Sequence, residues 1–303
     1  MIRPTLVVFA AGKGTRLSPL TARTPKAMAP VLDVPLVDLA LARGDGVGWA
    51  GRVVNISHPS AGLADHLRSR EGVTVFDEGA EPVGTAATLR CLLPRLSETV
   101  VTYNCDLVST LDLGRLLEFH SRAAKPCTLA VRPVDRNGDL ACEQGVLRLI
   151  DRRIEDRPGL LFLGAAVFDR ALLQDIPDTQ PLGLTAGLLR RVVDAQQVGL
   201  FEHPGYGRDA GSLDRYLQVN LDALDRGLLP VDAPGTVSPE GWYTGPGAEA
   251  EQESLGSGAV VLAGARIGPG ARLKNCLVWP GSFVPAGTVC EGGIWFEGAL
   301  LTG

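Results

Sequence analysis

The chain has 303 residues, of which 45% are hydrophobic and 21% charged, with a formal net charge of -5. Such a composition excludes a disordered chain and suffices for one large domain or two ordinary ones. The acidic balance excludes a general basic field, so no nucleic-acid partner is expected. No apolar run reaches the ~20 residues of a membrane span, and the stretch 6–11 is too short for a signal-peptide core. A cytoplasmic protein with no membrane partner is the expectation. Six cysteines (Cys91, Cys105, Cys127, Cys142, Cys276 and Cys290) form no C-x-x-C pair, so reduced, mostly buried thiols are expected.

Along the chain, residues 5–10, 53–57, 99–104 and 127–134 read as strands. Residues 62–70, 85–93 and 112–122 read as helices between them. On the last of these, Leu113, Leu116 and Leu117 fall on one side, and Asp112, Arg115, Glu118 and Arg122 on the other. A further strand at 160–168 and helices at 184–194 and 212–225 complete a first domain over 1–227. The alternation predicts an α/β fold: a Rossmann-like, mostly parallel sheet with helices on both faces. Such sheets bind ligands beyond the carboxyl ends of their strands, so the loop after 5–10 is the first place to look.

Residues 228–257 are rich in Gly, Pro, Ser and acidic side chains and read as a linker or excursion. Over 258–303 a six-residue rhythm appears. Val261, Ile267 and Leu273 form one series; Leu277, Phe283, Val289 and Trp295 form a second. Hexapeptide repeats predict a parallel β-helix, with each of these residues pointing inward. Only about two turns are predicted, too few to bury their own ends. The β-helix is therefore expected to dock on the first domain or on another copy of the chain.

The strand at 5–10 is followed by Gly12 and Gly14, and then by Arg16 and Lys26. Backbone N–H groups of a glycine loop converge on phosphate oxygens, which a Cβ would obstruct. Arg binds phosphate through paired N–H groups, and Lys supplies a mobile point charge. The dinucleotide fingerprint fails, because Leu17 stands where its last glycine belongs, and no G-x-x-x-x-G-K-[ST] loop occurs. The whole pattern is more specific. Gly12, Gly14-Thr15-Arg16-Leu17, Pro19-Leu20-Thr21, Pro25-Lys26, Pro30-Val31 and Pro35-Leu36 together closely resemble the signature of the nucleotide-sugar pyrophosphorylases. That resemblance covers residues 1 to about 225, and many members carry a C-terminal left-handed β-helix, which the hexapeptide rhythm supports independently.

In-line nucleotidyl transfer needs a Mg²⁺ ion held on one or two carboxylates. Asp106 follows the strand 99–104 at its carboxyl end; the alternative is a turn or helix cap. The resemblance implies metal binding, since Asn104-Cys105-Asp106 is similar to the family's Asn-Gly-Asp element. Asp209, in Asp209-Ala210-Gly211-Ser212, resembles the family's second metal ligand. The alternative has Ser212 cap the last helix with Asp209 in the turn before it. By the same resemblance, Ala11, Gly12, Gly14 and Thr15 bind the triphosphate, Gly84 and Thr85 lie against the base, and Gly145 and Gly164 contact the sugar; for Gly145 the alternative is a plain turn. Arg16 and Lys26 act on the reacting phosphates. At Gly84 the reading also rests on free N–H groups at a helix start.

One element departs from the family. Its Glu-Lys-Pro has no counterpart in 150–158, where Arg152 or Arg153 is left to supply the charge. The resemblance implies a sugar-1-phosphate nucleotidyltransferase using Mg²⁺, with a nucleoside triphosphate and a sugar 1-phosphate as substrates and GDP- or UDP-sugars favoured. It is similar to mannose-1-phosphate guanylyltransferases and N-acetylmuramate-1-phosphate uridylyltransferases. A homo-oligomer is expected. The alternatives are a non-catalytic, nucleotide-sugar-binding regulatory subunit and a transferase with a non-sugar phosphate acceptor.

Overall fold

Thr5–Phe9 lies in the middle of a nine-stranded sheet, flanked in parallel by Gly51–Ile56 and Thr99–Asn104. The computed structural model describes residues 3–57, 61–136, 138–143, 146–154 and 158–302. Val73–Asp77 extends the parallel part beyond Gly51–Ile56. Gly159–Asp169 pairs antiparallel with Thr99–Asn104 and with Cys127–Val134, and Val198–Glu202 runs parallel to Cys127–Val134. A hairpin of Gly138–Glu143 and Val146–Ile154 joins through Leu160 and Leu140.

Leu6, Val7 and Val8 are all fully buried, so both faces of the central strand are covered. On the face of Val7, Val53, Val100 and Ala166 pack Leu89 and Leu92 of helix Thr85–Leu92, together with Leu188 and Val192. Leu188 belongs to a stretch of π-helix, Thr185–Leu189, that runs into Arg190–Asp194. The helices predicted at 62–70 and 112–122 appear as Ala61–Arg68 and Leu113–Ala123, the second capped by Asp112, whose carboxylate accepts the Arg115 N–H at 3.0 Å.

The chain divides into two compact units. One holds residues 1–13, 43–107 and 111–207; the other holds 14–42, 108–110 and 208–303. All nine strands of the large sheet belong to the first unit.

In the second unit, three stacked ladders pair residues seventeen positions apart. Tyr243 pairs with Val260, Val260 with Leu277 and Leu277 with Ile294; Arg266 pairs with Phe283, and Arg272 with Val289, all in parallel. This pattern is consistent with a parallel β-helix. The ladders begin earlier than the rhythm predicts, since Tyr243–Thr244 lies within 228–257. The inward register also differs. Val261, Ile267 and Leu273 are interior as expected, but the next turn places Val278, Val284 and Cys290 inside. Phe283 and Val289 are 51% and 79% exposed. The step from Leu273 to the next interior residue is five positions, to Val278, where the second series took four, to Leu277. Leu277, Phe283 and Val289 are therefore one position out of phase, and a further five-position step from Cys290 brings Trp295 inside as expected. The larger apolar residue of each neighbouring pair had suggested the wrong phase.

Candidate active site

The first unit brings several of the expected residues to the carboxyl edge of its sheet. Phe9 is in register with Asn55 on one side and Asn104 on the other. Its carbonyl accepts the Cys105 N–H at 3.0 Å, which ties the turn carrying Asp106 to the start of the glycine loop. Asp106 is half-buried there. A buried network supports the loop. The Asn55 amide oxygen accepts the Ala10 N–H at 2.7 Å, and the Ser57 hydroxyl donates to the Ala11 carbonyl at 2.9 Å. The Asn55 amide donates to Glu78 at 2.7 Å, and Glu78 also accepts from the Thr88 hydroxyl and, at 3.0 Å, from the Val83 N–H. Asn55 and Thr88 are 3% and 0% exposed.

Gly12 and Gly14 are glycines for different reasons. Gly14 has φ +65°, and a Cβ there would lie 2.9 Å from the Lys26 Cβ. Gly12 has no such constraint: its φ is outside the left-handed region and a Cβ would meet nothing within 4 Å. Packing within the chain gives no reason for a glycine at 12, whereas close approach of a ligand to the backbone does. Beside the loop, Lys13 pairs with Glu81 at 2.5 Å, with both side chains largely exposed. Screening leaves such a pair little weight in stability.

Gly84 has φ +90°, and a Cβ there would strike the backbone of Leu182, 2.5 Å from its carbonyl oxygen. That carbonyl accepts the N–H groups of Ala86 and Ala87 at 3.0 and 3.3 Å, and the Thr85 hydroxyl accepts the Leu184 N–H at 2.8 Å. The free N–H groups expected at this helix start are therefore taken at Ala86 and Ala87. Gly164, at φ +89°, sits against the Asn104 side chain, whose amide nitrogen a Cβ would approach to 2.6 Å. The structure thus brings Gly164 to the Asn104-Cys105-Asp106 element. Gly145 lies outside the described residues. Arg152 and Arg153 lie in the strand Val146–Ile154.

The second unit carries the remaining residues. Thr15, Arg16 and Leu17 form a single 3-10 turn, and Lys26–Met28 a second. The Thr21 hydroxyl donates to the Gly14 carbonyl at 2.8 Å and closes the return segment on the loop. The Arg16 guanidinium lies over Gly211, where a Cβ would come 3.1 Å from one of its nitrogens and 2.5 Å from an Asp209 oxygen. Arg16 and Asp209 are thus brought to the same glycine. Asp209 also pairs with Arg215 at 2.5 Å, a cation absent from the sequence reading. Ser212 occupies the cap position of Leu213–Arg226 but makes no side-chain capping bond. Among the described residues no group of three or more His, Cys, Asp or Glu side chains is placed to hold a metal. Asp106 in the first unit and Asp209 in the second each offer hard carboxylate oxygens, a donor type that suits Mg²⁺.

Asn55, Glu78 and Thr88 escaped the sequence reading because their bonds span ten to forty-five residues, and no local pattern marks them. Of the cysteines, Cys105, Cys127, Cys276 and Cys290 are buried thiols and Cys91 is exposed. Burial pushes the Cys276 thiol up to about 12.

A parallel-centred sheet, a glycine loop after its middle strand and a carboxylate at its carboxyl edge define a nucleotide-handling α/β protein. Residues 5–146 match the family model described as nucleotidyl transferase. Among curated relatives, mannose-1-phosphate guanylyltransferase of Mycobacterium tuberculosis is 27% identical over 302 residues, covering 94% of this chain and 82% of that one. The UTP–glucose-1-phosphate uridylyltransferase of Synechocystis sp. is 25% identical over 331 residues, covering 97% and 83%. Among solved structures, HddC from Yersinia pseudotuberculosis, complexed with GMP-PN, has a TM-score of 0.59 at 19% identity, covering 72% of this chain and 98% of that one. No described helix is long and apolar enough to cross a membrane.

Proposed function

We propose that the protein is a sugar-1-phosphate nucleotidyltransferase, converting a nucleoside triphosphate and a sugar 1-phosphate into a nucleotide sugar and pyrophosphate. The observation that carries this reading is the placement of Gly12 and Asp106 at the carboxyl edge of adjacent parallel strands, tied through the Phe9 carbonyl within the stretch that matches the nucleotidyl transferase model. The names of the relatives favour GDP- or UDP-sugars as products.

Backbone N–H groups of Gly12, Gly14 and Thr15 hold the triphosphate, and Ala11 anchors the loop through Ser57. Arg16 neutralises the departing pyrophosphate, and Lys26 the phosphate oxygens of the reacting pair. Gly84 and Thr85 lie against the base, and Gly164 and Gly145 contact the sugar. Asp106 and Asp209 are the carboxylates for Mg²⁺, which when bound supplies charge neutralisation at the crowded phosphate oxygens. The nucleophile is already an anionic phosphate oxygen, so no side chain need remove a proton. Positioning and fixed charge carry the catalysis. Residues 1–227 form the catalytic domain, and a left-handed β-helix runs from a first rung at Tyr243–Thr244 through 258–303.

Replacing Asp106 with Asn keeps the shape and removes the charge. Turnover should fall by about a hundredfold or more while the melting temperature is retained, the range expected when an electrostatic group is lost from a reacting centre. Turnover within a few fold of wild type would remove Asp106 from the reaction.

A further inference from the structure

In the second unit, Lys26–Met28 is followed at once by a hairpin in which Pro30–Val31 pairs with Val34–Pro35. Only Leu32 and Asp33 form its turn, with φ of +47° and +63°. A two-residue turn of this hand asks for Asn-Gly or Gly-Gly. Leucine and aspartate in the left-handed region cost roughly 1–2 kcal/mol each, so local preference does not hold this turn.

Contacts from distant segments of the same unit do. The Leu32 N–H donates to the Asn220 side chain at 3.1 Å, and the Tyr216 hydroxyl, from the same helix Leu213–Arg226, reaches the Pro30 carbonyl. The remaining contacts come from the C-terminal ladders. The Ala263 N–H donates to one Asp33 oxygen at 2.9 Å. The Tyr243 hydroxyl lies 2.9 Å from the other and 3.1 Å from the Leu32 carbonyl, and shares its proton between them. Tyr243 is fully buried. Gly245 is a glycine because any Cβ there would collide with Asp33. Strain of this kind persists where surrounding structure over-determines it, and it clusters near functional groups.

We infer that the C-terminal ladders act as a clamp on the segment bearing Lys26, with Asp33 as a positioning residue gripped by Tyr243, Gly245 and Ala263. The Ala29 carbonyl accepts the Leu36 N–H at 3.1 Å, closing the hairpin directly behind the Lys26 turn. Displacement of Asp33 therefore moves the base of that turn. The catalytic consequence rests on the role proposed for Lys26; the clamp itself does not.

Tyr243→Phe and Gly245→Ala test it in the full-length protein from more than two hundred residues away in sequence. Hydrogen exchange followed by mass spectrometry should show faster exchange across 26–36 in both variants, with 99–104 unchanged. Turnover should fall about tenfold or more with KM for both substrates held within about twofold, since small misplacements of a reacting group act on kcat. Asp33→Asn, a milder change of the same contact, should fall between these variants and wild type. Unchanged exchange across 26–36 would overturn the clamp. Faster exchange with unchanged kcat would overturn its link to Lys26. A wild-type chain that releases pyrophosphate from no substrate pair would defeat the assigned reaction instead, and the exchange measurement would still decide the clamp.

Discussion

At the scale of single residues, Asp33 ties pH to stability. Burial raises its pKa above the ordinary Asp value, against the Ala263 N–H and the Tyr243 hydroxyl, which lower it. The folded chain thus holds this proton more tightly than the unfolded chain does. Its contribution is fully present below the ordinary Asp range and is lost as pH rises through the raised value. Asn at this position does not titrate, and the other carboxylates are common to both proteins. The stability cost of Asp33→Asn should therefore shrink from acid toward neutral pH, as read by urea denaturation in parallel. A cost that grows with pH would contradict the assignment. Little of this residue was visible in the sequence, because its partners Tyr243 and Ala263 lie more than two hundred positions away. The glycines behaved differently. Gly14 and Gly84 were flagged for ligand contact, yet both also have packing reasons within the chain, and Gly12 has none.

At the scale of elements, the sequence was most readable where burial is continuous. Thr99–Asn104 and Cys127–Val134 fall where the apolar runs placed them. Val73–Asp77 went unread because it is a partly exposed edge strand with weak alternation. The C-terminal ladders were readable in period, but the phase failed over Leu277, Phe283 and Val289, because residue size placed the corner after Leu273 one position short. The corrected phase makes opposite forecasts for neighbours. Val284→Asp would place a carboxylate in the ladder interior and should lower the denaturation midpoint of the second unit severely, at a cost of several kcal/mol. Phe283→Asp changes a largely exposed side chain and should cost at most about 0.5 kcal/mol. A larger loss from Phe283→Asp than from Val284→Asp would restore the phase first expected from the sequence.

At the scale of the whole molecule, the residues proposed for phosphate chemistry fall in both units of the chain. Ala11, Gly12, Gly84, Asp106 and Gly164 belong to the first, and Gly14, Arg16, Lys26 and Asp209 to the second. The glycine loop crosses from one to the other between Lys13 and Gly14. The sequence made this loop legible as one motif, because phosphate binding needs contiguous backbone N–H groups. It predicted that the β-helix would dock on the first domain or on another copy, but not that the loop's second half packs in one unit with the ladders, since that association is built from hydrogen bonds of long sequence separation. The absent Glu-Lys-Pro element leaves the sugar-phosphate contact to other cations, and the reaction itself is the arbiter. The most direct test is release of pyrophosphate by the purified chain with Mg²⁺, crossing each common nucleoside triphosphate with a panel of sugar 1-phosphates. The account predicts release with a guanine or uracil nucleotide, dependent on both substrates and on the metal. No release from any pair, with tight binding of an intact nucleotide sugar, would contradict it and favour a regulatory subunit.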